Sequence, residues 1–100
     1  MPAVSRKGDI LSTGHGCVST TKLNTPGQST VFANSILIAR VGDPTVGHPF
    51  PPDPPCDDHV AKVNAGSPNV FVEGKKVARK EDSADAGKME KGSDNVFANG

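Results

Sequence analysis

Apolar residues in this chain come in short clusters separated by glycine, proline and polar turns, and one spacing recurs. Gly27-Gln28-Ser29-Thr30-Val31-Phe32-Ala33-Asn34-Ser35 runs into Ile36-Leu37-Ile38-Ala39-Arg40-Val41-Gly42-Asp43. Gly66-Ser67-Pro68-Asn69-Val70-Phe71-Val72-Glu73-Gly74 runs into Lys75-Lys76-Val77-Ala78-Arg79-Lys80-Glu81-Asp82, and the two stretches align without a gap. Each predicts two short β-strands around a two-residue turn, Asn34-Ser35 or Glu73-Gly74. Val-Phe before the turn and Ile or Val after it are the β-rich flanks a hairpin needs.

A third copy is cut. The chain ends Gly92-Ser93-Asp94-Asn95-Val96-Phe97-Ala98-Asn99-Gly100, a first strand and its turn, and begins with the missing second strand, Pro2-Ala3-Val4-Ser5-Arg6-Lys7-Gly8-Asp9. The N- and C-terminal strands are therefore expected to pair, giving an all-β fold of three short hairpin repeats around a pseudo-threefold axis, with residues 1–100 as one domain. The connections 10–26 and 44–65 are long and 83–91 is short. Loops so long are uncommon unless they act or are tied down. The third reads as the least ordered, and none carries an amphipathic helix of useful length.

Composition turns attention to those loops. Eleven Gly and nine Pro stand against four Phe and no Trp or Tyr, so the chain is turn-rich with little material for a core. A core of this size rarely supplies more than about 3–5 kcal/mol, and such scaffolds usually carry a staple. Eleven basic residues balance eleven acidic ones; with no basic stripe, nucleic acid is not an expected partner. No apolar run is long enough for a transmembrane helix, and the N-terminus lacks the apolar segment of a signal peptide. Assembly is expected in a reducing bacterial cytoplasm, where the two cysteines read as thiols or metal ligands rather than a disulfide.

Each repeat places an Arg three residues before an Asp: Arg6 and Asp9, Arg40 and Asp43, Arg79 and Asp82. An Arg fork bonds a carboxylate or loop carbonyls, and recurrence in every copy points to a structural role. Gly8 and Gly42 suggest positive-φ turns; Glu81 at the third position predicts a different turn there.

All three histidines lie in the two long connections. Gly14-His15 and Gly47-His48 occupy similar places after their Asp, whereas the third copy has Gly87-Lys88. The second connection adds Cys56-Asp57-Asp58-His59, a spacing at which Cys and His reach one ion. His15, His48, Cys56 and His59 make a His₃Cys set suited to one tetrahedral zinc, with Cys17 as the competing thiol. Four protein ligands leave no open position, so such a zinc is structural. Its apparent binding energy, roughly 10–16 kcal/mol, exceeds what this core offers alone. Asp57 and Asp58 are candidate outer hydrogen-bond acceptors. The run Pro49-Phe50-Pro51-Pro52-Asp53-Pro54-Pro55 reads as a stiffener between ligands, or as a polyproline ligand for a partner.

Val77-Ala78-Arg79 and Ile38-Ala39-Arg40, each after a Val-Phe hairpin and before an acidic turn, resemble the repeated motif of the PAAR-repeat family. Pro2-Ala3-Val4-Ser5-Arg6 is similar, with one residue inserted. The chain looks most like the small stand-alone PAAR proteins of contractile phage tails, relatives of those in type VI secretion. The resemblance implies a small cone with zinc near its apex, bound by His15, His48, Cys56 and His59. It also implies a broad base that docks, as a monomer, on the end of a trimeric β-helical spike. The implied role is mechanical rather than enzymatic: a point at the virion tail tip or injection-apparatus tip that touches a membrane only while piercing it. The competing classes are a zinc-dependent or Cys-His hydrolase, with Cys56 and His59 as the pair, and an adaptor using the proline-rich loop. The general-acid Glu of zinc deaminases is missing.

Overall fold

The computed structural model describes residues 2–50 and 57–98, without the side chains of Phe50 and Asp57. Two sets of antiparallel hairpins are strung alternately along the chain. The first set is the repeat itself. Strands β3 (Phe32–Ala33) and β4 (Ile36–Leu37) form one hairpin, and β7 (Phe71–Val72) and β8 (Lys75–Lys76) the next. Positive φ at Asn34 and Ser35 (56° and 65°) and at Glu73 and Gly74 (48° and 81°) gives the primed turns whose twist suits two-residue loops. The third member is split as expected: Ala3 pairs with Phe97, Val4 N–H donates to the Val96 carbonyl at 3.0 Å, and Ala98 N–H to that of Pro2 at 3.0 Å.

The second set occupies the connections. β1 (Ile10–Ser12) pairs with β2 (Thr20–Lys22), β5 (His48–Phe50) with β6 (Asp57–His59), and β9 (Ser83–Ala84) with β10 (Gly87–Lys88). The sequence suggested loops here, the third least ordered. Instead the short third connection folds into the tightest of these hairpins, around Asp85-Ala86.

A closed ring of backbone bonds joins the repeats. Ala39 N–H donates to the Ser5 carbonyl, Ala78 N–H to that of Ala39, and Ser5 N–H to that of Ala78, each at 2.9 Å. Bridges Arg6 to Ile38, Arg40 to Val77 and Arg79 to Val4 run the same way round. A second ring lies further along the chain, where Leu23 pairs with Thr45, Val63 with Ala84 and Met89 with Leu11. Ser5, Ala39 and Ala78 have no solvent exposure; their small side chains let three backbones meet where larger ones would hold them apart.

The core divides at this ring. Val4, Ala33, Ile38, Val72, Val77 and Ala98 pack among the repeat hairpins. Leu11, Leu23, Val63, Ala84 and Met89 pack with Ala39 and Ala78 among the second set. The molecule is elongated, 40 × 23 × 22 Å, and its nearly equal short axes suit a pseudo-threefold body.

Each Arg–Asp pair closes the turn between the two hairpin sets. In all three, the Asp N–H donates to the Arg carbonyl at 3.0–3.1 Å. The Arg N–H returns a bond to the Asp carboxylate, at 2.7 Å for Arg6, 2.7 Å for Arg40 and 2.9 Å for Arg79. The guanidinium Nε lies 3.1, 3.4 and 2.9 Å from the same carboxylate. Arg40 and Asp43 are buried, at 5% and 3% exposure. Arg6 and Arg40 also reach the hairpin turns, donating to Asn34 Oδ1 and the Glu73 carbonyl. Glu81 does not change its turn, contrary to the expectation from its side chain. It adopts φ 78°, close to the 85° of Gly8 and 92° of Gly42, because the ring imposes one backbone path on all three copies.

Two substitutions test this frame. Ala78→Leu forces a large side chain into the ring and is expected to cost about 1–3 kcal/mol, lowering the melting temperature by roughly 4–8 °C per kcal/mol. Asp43→Ala leaves a buried guanidinium unpaired and is expected to cost about 3–5 kcal/mol in chemical denaturation; a loss below 1 kcal/mol would demote the pair to a surface contact.

Candidate metal centre

The second set of hairpins brings its side chains together beyond the core. His15 follows β1, His48 opens β5, and His59 closes β6 directly opposite it in the register. Asp85 sits at the turn between β9 and β10. One ligand atom from each of His15, His48, His59 and Asp85 falls within 4.8 Å of the others. All three repeats thus contribute to one cluster.

Local backbone explains the convergence. Gly14, at φ 71°, lets the first hairpin abut the third: a Cβ there would lie 2.1 Å from the Ala86 carbonyl oxygen. Ala86 N–H donates to the Thr13 carbonyl at 2.9 Å, and Asp85 N–H to that of Lys62 at 3.0 Å. The Asn64 amide donates to the Asp85 carbonyl at 2.9 Å. The third turn is clamped between its two neighbours. Asp85 itself has φ 54°, a left-handed conformation that Asp tolerates better than most residues.

The donor chemistry decides what the cluster can hold. His15 Nδ1 lies 2.9 Å from the Gly16 carbonyl oxygen and His48 Nδ1 lies 2.8 Å from that of Val46. A carbonyl only accepts, so both Nδ1 atoms carry the proton, and in neutral rings the Nε2 lone pairs face inward. Those Nε2 atoms are 3.3 Å apart, and each is 2.8 Å from Asp85 Oδ2. His59 Nε2 is 3.3 Å from Oδ1. Acceptors facing acceptors in a nearly closed site need a positive charge among them. A nitrogen separation of about 3.3 Å is the edge of a tetrahedron around a metal with bonds of roughly 2.0–2.1 Å. Burial pushes the Asp85 carboxyl up, but its contacts with His48, His15 and His59 outweigh that and hold it below the ordinary carboxylate value. The group stays anionic, as a metal ligand must.

Of the residues singled out in the sequence, His15, His48 and His59 meet here, and Cys56 lies outside the described residues, as does most of the proline run. Cys17 is disulfide-bonded, not the free thiol expected of a reducing compartment, and a sulfur so bonded offers no thiolate. Lys88, in the place of a third Gly-His, is exposed and pairs with Glu81 at 2.8 Å. Asp58 is exposed, and the outer acceptors of His15 and His48 are backbone carbonyls. Asp85 does not stand out in the sequence, because the repeat alignment puts the place of a third Gly-His at Gly87-Lys88. The only hint was a second Asp three residues after Asp82, one among eleven acidic residues.

The full chain is expected to bind one divalent metal per molecule by elemental analysis, and a strong chelator to lower its melting temperature. His48→Ala is expected to abolish that uptake. Metal binding releases protons from its ligands, so mild acid is expected to release the ion and reproduce the chelator's effect.

No curated protein matches the chain. The PAAR motif family does, over residues 7–87. That span takes in His15, His48, His59 and Asp85 and two of the three Arg–Asp turns in full. The family is associated with spike tips of contractile injection systems, where its members are structural proteins rather than enzymes. The match covers most of the 100 residues, and the three-hairpin ring is the all-β architecture expected of such a repeat: this chain belongs to the PAAR motif family.

Proposed function

We propose that this protein is the tip of a contractile injection spike, seated as a monomer on the end of a trimeric β-helical protein and sharpened by a bound zinc ion. The observation that carries the reading is a ring of three phenylalanines. Phe32, Phe71 and Phe97 hold the same position in the three repeat hairpins and are exposed at 53%, 53% and 48%. They belong to the hairpin set on the far side of the ring from the histidines. Large apolar side chains exposed at equivalent positions suit a partner with true threefold symmetry, which offers three matching pockets. Such docking also covers strand edges that the end of a β-helix would leave open to aggregation.

Zinc fits the site. Three imidazoles with backbone acceptors behind two of them are a familiar zinc environment, and a fourth protein ligand closes the shell. A closed shell supports a structural ion and argues against the hydrolase reading, which needs an open position for water. In this role the zinc cross-links the second set of hairpins, and the rigid point transmits force to a membrane during contraction without any turnover. The place of action is the tail tip or injection-apparatus tip.

Binding to the trimeric spike of the same contractile system, measured by calorimetry or co-elution, tests the proposal. One protein per spike trimer is expected. Phe32→Ser and Phe71→Ser are each expected to weaken binding by about tenfold or more, as removal of a central aromatic anchor does, while the melting temperature stays near that of the parent. Undiminished binding by the double variant would move the docking face elsewhere; no binding by the parent would defeat the spike-tip reading.

A further inference from the structure

The three repeats share one backbone path, but the grooves between them differ. Beside β8 lies a cavity of about 610 Å³, bordered by Val41, Ala65, Phe71, Lys75 and Lys76. We infer that it is a docking groove for one extended segment of a second polypeptide, with alternating acidic and apolar side chains, bound once per molecule. This goes beyond seating on a spike trimer, since a threefold partner offers three matching contacts and these grooves do not match.

The repeat alignment locates the counterparts. Val41 and Lys80 each follow the repeat Arg, Gly66 and Gly92 each open a copy, and Lys76 and Ala3 each stand three residues before the Arg. The groove beside Lys80 and Ala3 has about 300 Å³, and its Lys80 and Lys91 are matched by Glu90 and Asp94. In the first copy a buried Pro26 stands in the place of the exposed Ala65, and Lys7 in the place of Val41. The groove beside β8 instead combines room, an apolar floor and unopposed positive charge. Lys75 and Lys76 are exposed, and among the described residues neither has an ion-pair partner. The volume falls within the roughly 300–1,000 Å³ of ligand sites.

The walls are set by backbone. A Cβ on Gly66 would lie 2.5 Å from the Val77 carbonyl oxygen and 3.0 Å from Val41 Cγ2, so the floor is bare main chain packed on Val41. In the hairpin Val77 N–H bonds to the Val70 carbonyl, so the next pair, Phe71 and Lys76, turns its N–H and carbonyl groups outward. The Lys76 carbonyl takes the Val41 N–H at 2.9 Å. The chain then turns away at Gly42, φ 92°, and leaves the edge of β8 open. The Lys75 ammonium leans toward that turn, 3.8 Å from where a Gly42 Cβ would stand. An open strand edge beside an apolar floor takes an extended chain, with main-chain bonds for affinity and alternate side chains for specificity. Two free ammonium groups on the rim select carboxylates.

Chemical-shift mapping on the full chain tests this, with a capped synthetic peptide of alternating glutamate and leucine as probe and its lysine–leucine counterpart as control. The acidic peptide is expected to shift the amides of Val41, Ala65, Gly66 and Lys76, at one peptide per molecule and less strongly as salt rises. The Lys75→Glu, Lys76→Glu double variant lies on the surface and is expected to keep its fold and to weaken binding about tenfold. Val41→Ser, which strips the floor without changing charge, is expected to weaken it as well, with the melting temperature near the parent's. Adding the spike trimer is expected to leave the peptide bound. No shift at these amides, equal shifts in the other two grooves, equal binding of the lysine peptide or indifference to charge reversal would overturn the inference. Displacement of the peptide by the spike would assign the groove to spike docking and overturn a second partner. A spike that does not bind at all would defeat the spike-tip reading and leave the mapped groove standing.

Discussion

The ring of backbone hydrogen bonds among Ser5, Ala39 and Ala78 is the constraint on which the rest of the molecule depends. Three chain segments distant in sequence meet there with no side chain between them, and each donates to the next until the circle closes. Burying these groups unpaired would cost about 1–3 kcal/mol apiece, so the ring forms whole or not at all. That cooperativity lets a chain with few large apolar residues hold a defined shape. It also forces equivalence: Glu81 accepts a glycine's backbone conformation because its two counterparts set the path.

Everything outside the ring is hung from it in threefold register. On one side the repeat hairpins carry a phenylalanine each, with Arg6 and Arg40 donating to two of their turns. On the other side the second hairpins bring the histidine cluster together. The Arg–Asp turns, of which Arg40–Asp43 is fully buried, join these halves. A paired, hydrogen-bonded charge can be buried, whereas an unpaired one cannot, so each turn is locked as long as both partners remain.

The departure from symmetry is where the chemistry lies. Three identical loops would present three identical side chains, yet this chain brings together one histidine from the first, two from the second and a carboxylate from the third. The third hairpin is shorter, so its reaching group sits in the turn itself. An ion held there would tie all three hairpins of the second set together.

The sequence alone determined the repeat, the split third hairpin, the closing of the termini and the three histidines that meet. Each of these follows from local pattern: β-rich pairs flanking turn residues, and rare ligating side chains at matched distances after an Asp. Tertiary structure alone decided three other things. The connections became strands because the second ring supplies partners that no local window contains. Glu81 took a left-handed backbone because closure outweighed its own preference. Asp85 joined the histidines because turns 70 and 37 residues from it in sequence pack against its own. A carboxylate's role is set by what surrounds it, and that surrounding exists only after the chain has closed.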